Sequence, residues 1–199
     1  RLTRATCHRI RTRTMDDIAD QLLYLIFYFQ GEPYINPDFL DMVKDASDRG
    51  DYTITSTNGH FLNDANAKRT IESGLDRLII SVDGTTQEVY EQDRKAGKLE
   101  SVLQGARNLV KWKEELNSPT PHLIFQFLVV KPNEHQMEDV VRLADEIGID
   151  EVKFKTAPYA MLGKPFWVDF LVESLQRMCV LRVHCQVRCE RVVRLNHQV

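Results

Sequence analysis

Leu22-Leu23-Tyr24-Leu25-Ile26-Phe27-Tyr28-Phe29 is wholly aliphatic and aromatic, and it stops at Gln30-Gly31-Glu32-Pro33. A short, continuously apolar run reads as a strand buried on both faces. Its abrupt end in a Gly-acid-Pro turn marks a place where a ligand can approach the backbone. Gly31 has no Cβ to block that approach, and Pro33 fixes φ and helps hold the turn open. Two further strand-like runs end in comparable turns, at Ser56-Thr57-Asn58-Gly59 and at Ser81-Val82-Asp83-Gly84. Three strand ends carrying small, polar and glycine residues describe a binding face.

The segments around these turns alternate between two periods. Thr14 is placed to cap a helix with Met15, Ile18, Ala19 and Leu22 on its apolar face, and the strand of residues 23–29 follows. Pro37 suits the first turn of a helix that buries Phe39, Leu40, Met42, Val43 and Ala46, and Gly50 suits its stop. Strands are expected at residues 52–57, 78–82, 123–130 and 151–155. Helices are expected at residues 64–73 (closed by Gly74), at 99–116, and from Met137 to a stop at Gly148. Strands alternating with helices of this length are parallel βαβ units. The fold class is therefore α/β with a parallel sheet, either doubly wound or a (β/α) barrel. In both, ligands bind at the C-terminal ends of the strands.

Composition narrows the partners. The chain has 199 residues, 43% hydrophobic and 28% charged, as expected of a globular protein with one substantial core. A net charge of −3 gives no reason to expect nucleic acid. The longest apolar run has eight residues, far short of the roughly 20 that span a bilayer. No secretory signal is visible, and four cysteines make no disulfide framework, so a cytoplasmic location is expected.

The two ends differ from the middle. Residues 1–14 hold Arg1, Arg4, Arg9, Arg11 and Arg13 and no lysine; residues 165–199 hold Arg177, Arg182, Arg188, Arg191 and Arg194 and again no lysine. This predicts three parts: an Arg-rich leader at 1–14, a core at 15–156, and a tail at 157–199 with an amphipathic pattern from Phe166 to Met178. The bias reads as a change of sequence origin at both ends, by frameshift, rearrangement or decay. An intact gene with the same ends in sister genomes would overturn that reading.

With these residues in order, the chain resembles the radical S-adenosylmethionine (SAM) enzymes. Gln30-Gly31-Glu32-Pro33 is similar to their Gly-Gly-Glu-Pro segment, and Thr57-Asn58-Gly59 to their third-strand motif. Ile80-Ser81-Val82-Asp83-Gly84, followed by Tyr90 and Arg94, resembles the fourth-strand segment of the subgroup that modifies peptides and proteins, the SPASM-type enzymes and their molybdenum-cofactor relatives. Residues 129–134 resemble that subgroup's next strand and turn. The likeness covers about residues 15–156 and implies a partial (β/α) barrel. It implies that Gln30, Gly31, Glu32 and Pro33 receive the SAM amino group, for which the Glu32 carboxylate is chemically suited. Ser81 and Asp83 sit two apart on one strand face, and the resemblance gives them the ribose diol. Arg94 is expected to pair with the SAM carboxylate, and Thr57 and Asn58 to donate to it or to shape the pocket floor. His60 reads as an exposed loop residue or a site residue. Lys153 and Lys155 share one strand face, as substrate contacts in a barrel or as solvated groups on an edge.

The family's chemistry uses a 4Fe–4S cluster held by Cys-x3-Cys-x2-Cys, placed before the first helix, to cleave SAM reductively to a deoxyadenosyl radical. Only Cys7 precedes Met15 here. Cys179, Cys185 and Cys189, with His184 among them, have five and three intervening residues, which matches neither that motif nor a zinc ribbon. The implied protein is a truncated or degenerate radical SAM core, acting in its intact relatives on a peptide or small molecule. Two alternatives remain open from the residues alone: a non-catalytic α/β domain for a nucleotide-like ligand, and a (β/α)-barrel lyase or hydrolase using Glu32 and Asp83 as acid and base.

Overall fold

In the computed structural model, residues 24–28 and 31–156 are described. The expectations for the Arg-rich leader, for Cys7, for the Thr14–Leu22 helix, for Gln30 and for everything from residue 157 onward, Cys179, Cys185 and Cys189 included, lie outside the described residues.

Five strands form one sheet: β1 (Tyr24–Ile26), β2 (Tyr52–Thr57), β3 (Arg77–Ser81), β4 (His122–Val129) and β5 (Glu151–Thr156). Five helices connect them: α1 (Phe39–Asp48), α2 (Asp64–Glu72), α3 (Gln87–Asp93), α4 (Leu99–Glu115) and α5 (Met137–Ile147). The spatial order is the chain order, β1-β2-β3-β4-β5, and every neighbouring pair is parallel. This decides between the two sheet architectures. Right-handed crossovers that always step to the next position put every helix on the same side. A doubly wound sheet needs a reversal of order to use both sides, and none occurs among the described strands. The sheet is a partial barrel.

Among the described residues β1 ends at Ile26, inside the apolar run, though the Phe27 N–H still donates to the Ile54 carbonyl and extends the pairing by one step. α3 was not legible in the sequence. It is seven residues long with only Val89 and Tyr90 apolar, too short to show a helical period.

On the helix-covered side, Leu78 and Ile80 of β3 and Leu123, Phe125 and Phe127 of β4 form the floor of the core. Val102, Ala106 and Leu109 of α4, Val140 and Ala144 of α5, and Phe39 and Val43 of α1 close over it. Each fully buried Leu, Val or Phe contributes roughly 1.5–3 kcal/mol of transfer free energy.

The N-terminal edge of the sheet repeats one device. Gly74-Leu75-Asp76 and Gly148-Ile149-Asp150 each end a helix and start a strand. Both glycines take positive φ, +73° and +91°, where a side chain would be strained. Leu75 and Ile149 are buried. Each aspartate then accepts the free N–H of the strand before it: Asp76 from Thr53 at 2.7 Å, Asp150 from Leu123 at 2.7 Å. Unpaired buried N–H groups are costly, so these carboxylates hold strand starts in register.

Candidate functional site

The opposite edge carries the polar turns. After β1, Gly31 has φ +91°, and among the described residues no atom beyond its chain neighbours lies within 4 Å of where a Cβ would stand. Glu32 then caps a single 3-10 turn, Pro33–Ile35, accepting from the Tyr34 N–H at 3.2 Å. Its carboxylate also reaches the end of β2. Oε1 accepts from Thr57 Oγ1 at 2.8 Å, and Oε2 accepts from the Asn58 N–H at 2.8 Å. Three of the roughly four acceptor positions of a carboxylate are thus used, and Oε2 keeps one. Thr57 and Asn58, expected to donate to a ligand carboxylate or to shape the pocket floor, give their Oγ1–H and backbone N–H to this protein carboxylate. Beside Glu32 an open depression of about 280 Å³ is lined by Phe27, Tyr28, Pro33, Asn36, Phe39 and Met42, among others. Burial, with Tyr24 nearby, pushes the Tyr28 phenol up to about 12.

A second cluster sits at the ends of β3 and β4. Asp83 is buried; its Oδ2 accepts from Arg94 Nε at 2.7 Å and lies 2.7 Å from Arg94 Nη2 in the same ion pair. Oδ1 accepts the Leu128 N–H at 3.0 Å. Arg94 is therefore paired with Asp83, leaving Nη1 without a partner among the described residues. Asn133, also buried, donates to the carbonyls of Asp83 and Leu128 and accepts from Val130. Gln136 accepts from Thr85. These two amides from the loop after β4 hold the loop after β3, a role that no periodicity announces.

Two hydroxyls at this cluster are unpaired among the described residues. Ser81 Oγ, at the end of β3, has no hydrogen bond. Tyr90 of α3 is fully buried and its hydroxyl has no partner. Burial raises the Tyr90 pKa; the Arg94 charge works against that rise and the Asp83 charge adds to it. Gly84 allows α3 to come this close, since a Cβ there would stand 2.7 Å from the Tyr90 amide nitrogen.

His60 lies between the clusters. Its Nε2 accepts the Lys98 N–H at 3.1 Å, and its Nδ1 lies 3.1 Å from the Asn58 carbonyl. It is exposed, yet both ring nitrogens are engaged. Val152 packs on the core and the Phe154 ring meets Phe127, so Glu151, Lys153 and Lys155 lie on the face turned away from the helices. There Lys153 pairs with Glu151 at 3.4 Å and stands in register with Gln126, which is in register with Ser81.

The fold therefore joins Glu32, Thr57 and Asn58 by direct hydrogen bonds, and joins Asp83 to Arg94 by an ion pair. Gly31 and Pro33 flank the first group, and Ser81 adjoins the second. His60, Tyr90, Asn133 and Gln136 are the residues that sequence reasoning left without a role. Among the described residues, no helix is long and apolar enough to cross a membrane.

The family model described as "Radical SAM superfamily" matches residues 6–144. A tungsten-containing aldehyde ferredoxin oxidoreductase cofactor-modifying protein of Pyrococcus furiosus is 30% identical over 135 residues, covering 65% of this chain and 36% of that protein. The mycofactocin maturase MftC of Mycobacterium ulcerans is 31% identical over 143 residues, covering 70% of this chain and 37% of that one. The chain thus spans little more than a third of the length of these two relatives. In the solved structures, SuiB of Streptococcus suis bound to S-adenosylmethionine superposes with a TM-score of 0.61 at 13% identity, over 88% of this chain and 39% of that chain. That likeness is one of fold.

Proposed function

The chain belongs to the radical SAM superfamily, and from that membership we propose that it is a SAM-binding core whose ligand is held at the C-terminal ends of β1, β2 and β3. The observation that carries the reading is the Glu32 carboxylate. It ties the Gly31 turn to Thr57 and Asn58 and keeps one acceptor position on Oε2 beside an open depression. That position suits the ammonium group of SAM. Gly31, with open space where a Cβ would be, lets the ligand lie against the backbone. Ser81 Oγ and Arg94 Nη1, without partners among the described residues, are the groups for the ribose and the carboxylate. Asp83 is assigned to orienting Arg94, because its two oxygens already accept from Arg94 and Leu128.

When bound to a family member's 4Fe–4S cluster, SAM is the source of the deoxyadenosyl radical. The residues present do not fit that cluster: the four cysteines contain no Cys-x3-Cys-x2-Cys. We therefore propose that this chain, as it stands, binds SAM without cleaving it. Its ancestral substrate is placed among peptides or small molecules, the classes of the subgroup whose strand-end segments it resembles. The acid–base alternative has less support, because the Glu32 carboxylate accepts three hydrogen bonds from the protein and the Asp83 carboxylate accepts two besides its ion pair with Arg94.

Calorimetry with SAM on the full chain, before and after anaerobic iron–sulfide reconstitution, tests both parts. The expected result is binding in both states and no 5′-deoxyadenosine. Absence of binding would overturn the SAM site, and deoxyadenosine release would overturn the inactivity.

A further inference from the structure

We propose that His60 is a positioning residue: it clips the loop that carries Arg94 onto the turn that carries Asn58, and so makes one half of the SAM site dependent on pH. The link to SAM rests on the function proposed above; the clip itself rests on geometry alone.

The loop of residues 94–98 needs support from outside. Ala96 stands at φ +62°, a left-handed conformation that strains a residue with a Cβ. Gly97 approaches the Tyr90 ring so closely that a Cβ would lie 2.8 Å from Cε1. Only a few hydrogen bonds hold this shape. Gly97 N–H donates to the Arg94 carbonyl at 2.8 Å. Gln87 Nε2 donates to the Gly97 carbonyl and its Oε1 accepts from the Leu99 N–H, both at 2.8 Å. Beside the Arg94–Asp83 pair at the end of β3, a further tie crosses to the end of β2: Lys98 N–H to His60 Nε2 at 3.1 Å.

That tie fixes the imidazole's chemistry. A backbone N–H can only donate, so Nε2 must be the unprotonated nitrogen. In the neutral ring the hydrogen is then on Nδ1, where the Asn58 carbonyl stands at 3.1 Å and Asn58 Oδ1 at 3.3 Å. Asn58 donates its own N–H to Glu32. Neutral His60 thus bridges the Glu32–Asn58 cluster to the loop leading out of Arg94. A second proton would turn Nε2 into a donor facing the Lys98 donor, and the bridge would open.

Of the titratable residues, Lys98 donates its N–H to the ring and Tyr90 stands with its ring centroid 6.4 Å away; the loop also carries Arg94 and Lys95, and the first turn of α4 carries Glu100. Glu32 and Asp83 lie behind Asn58 and Arg94. All of them are retained in a His60→Gln protein, whose amide oxygen can still accept from Lys98 but does not titrate. Differences between the two proteins' pH profiles belong to residue 60.

Two readouts on the full chain test this. The first is exchange of the Lys98 amide hydrogen, which needs no ligand. The second is SAM affinity by calorimetry at pH 8 and pH 5.5. His60→Ala is expected to speed Lys98 exchange and to weaken SAM about tenfold at pH 8, as the loss of one hydrogen bond plus release of a strained loop implies. His60→Gln is expected within about twofold of wild type at pH 8. Wild type should lose affinity relative to His60→Gln on going to pH 5.5, which a merely structural histidine would not produce. Unchanged Lys98 exchange in His60→Ala, or identical pH profiles of wild type and His60→Gln, would overturn the proposal. Accelerated Lys98 exchange with no SAM binding by any of the proteins would sink the SAM reading and leave the clip standing.

Discussion

Glu32 joins two strand ends because its carboxylate has no donor of its own. Every contact it makes is an acceptance: from Tyr34, from Thr57 and from Asn58. An amide in its place keeps the shape and inverts half of the chemistry, because its NH2 must face either the Asn58 N–H or the Tyr34 N–H. Glu32→Gln is therefore expected to lower unfolding free energy by about 1–2 kcal/mol and SAM affinity at least tenfold, read by urea denaturation and calorimetry. A stable variant with full affinity would show that the carboxylate only fills space. Tyr90 gives the opposite sign. Its buried hydroxyl lacks a partner, and an unsatisfied buried donor costs about 1–3 kcal/mol. Tyr90→Phe should raise the stability of the ligand-free protein by about 1 kcal/mol. If the hydroxyl meets SAM, the same substitution weakens binding; if binding is unmoved, Tyr90 is a core residue with a stranded group. The pairing of Asp83 with Arg94 was not legible from sequence, because two residues eleven apart can as easily meet a ligand as each other. It needed α3, which carries Arg94 back over the end of β3.

Most elements were legible because their period is long enough to read. α4 and α5 repeat apolar residues on one face over three turns or more, and β2 to β5 are runs bounded by glycine or proline. α3 was hidden by its length, and the end of β1 at Ile26 by the continuity of its apolar run. What pattern reading cannot supply is close approach between elements. Gly59 shows this. The pair Asn58-Gly59 reads as an ordinary turn, but in the fold α4 packs directly upon it. Gly59 has φ +81°, and a Cβ there would stand 2.6 Å from Val102 Cγ1 and 3.3 Å from Ile80 Cγ2. Gly105 of α4 answers it from the other side, where a Cβ would be 3.0 Å from the Gly59 carbonyl oxygen. Gly59→Ala combines a backbone penalty of about 1–2 kcal/mol with overpacking of about 1–3 kcal/mol. A loss of about 3 kcal/mol in denaturant unfolding is expected. A change under 1 kcal/mol would mean that α4 can move away from the turn.

Across the whole molecule, the two edges of the sheet use the same chemical group for different ends. At the C-terminal edge, Glu32 and Asp83 hold loops beside candidate ligand groups; at the N-terminal edge, Asp76 and Asp150 hold strand starts. In (β/α) barrels the first edge carries function and the second stability, so substitutions at the two edges should separate cleanly. Asp150 is the sharpest case. Burial works to raise its pKa, but the Leu123 N–H, the Lys113 ammonium and His122 together outweigh it, and the net direction is down. A carboxylate whose folded pKa lies below its unfolded value stabilises the protein above the unfolded value of about 3.9 and loses that contribution as pH falls through the lower folded value. Asp150→Asn keeps an acceptor for Leu123 but gives up the charge that meets Lys113 at 2.9 Å. It should cost about 1–2 kcal/mol at pH 7 and leave SAM affinity unchanged. The difference from wild type should be constant above about pH 5 and shrink below about pH 4, measured by denaturant unfolding across the range. A gap that persists at pH 3, or one accompanied by weaker SAM binding, would break the assignment of this edge to stability alone.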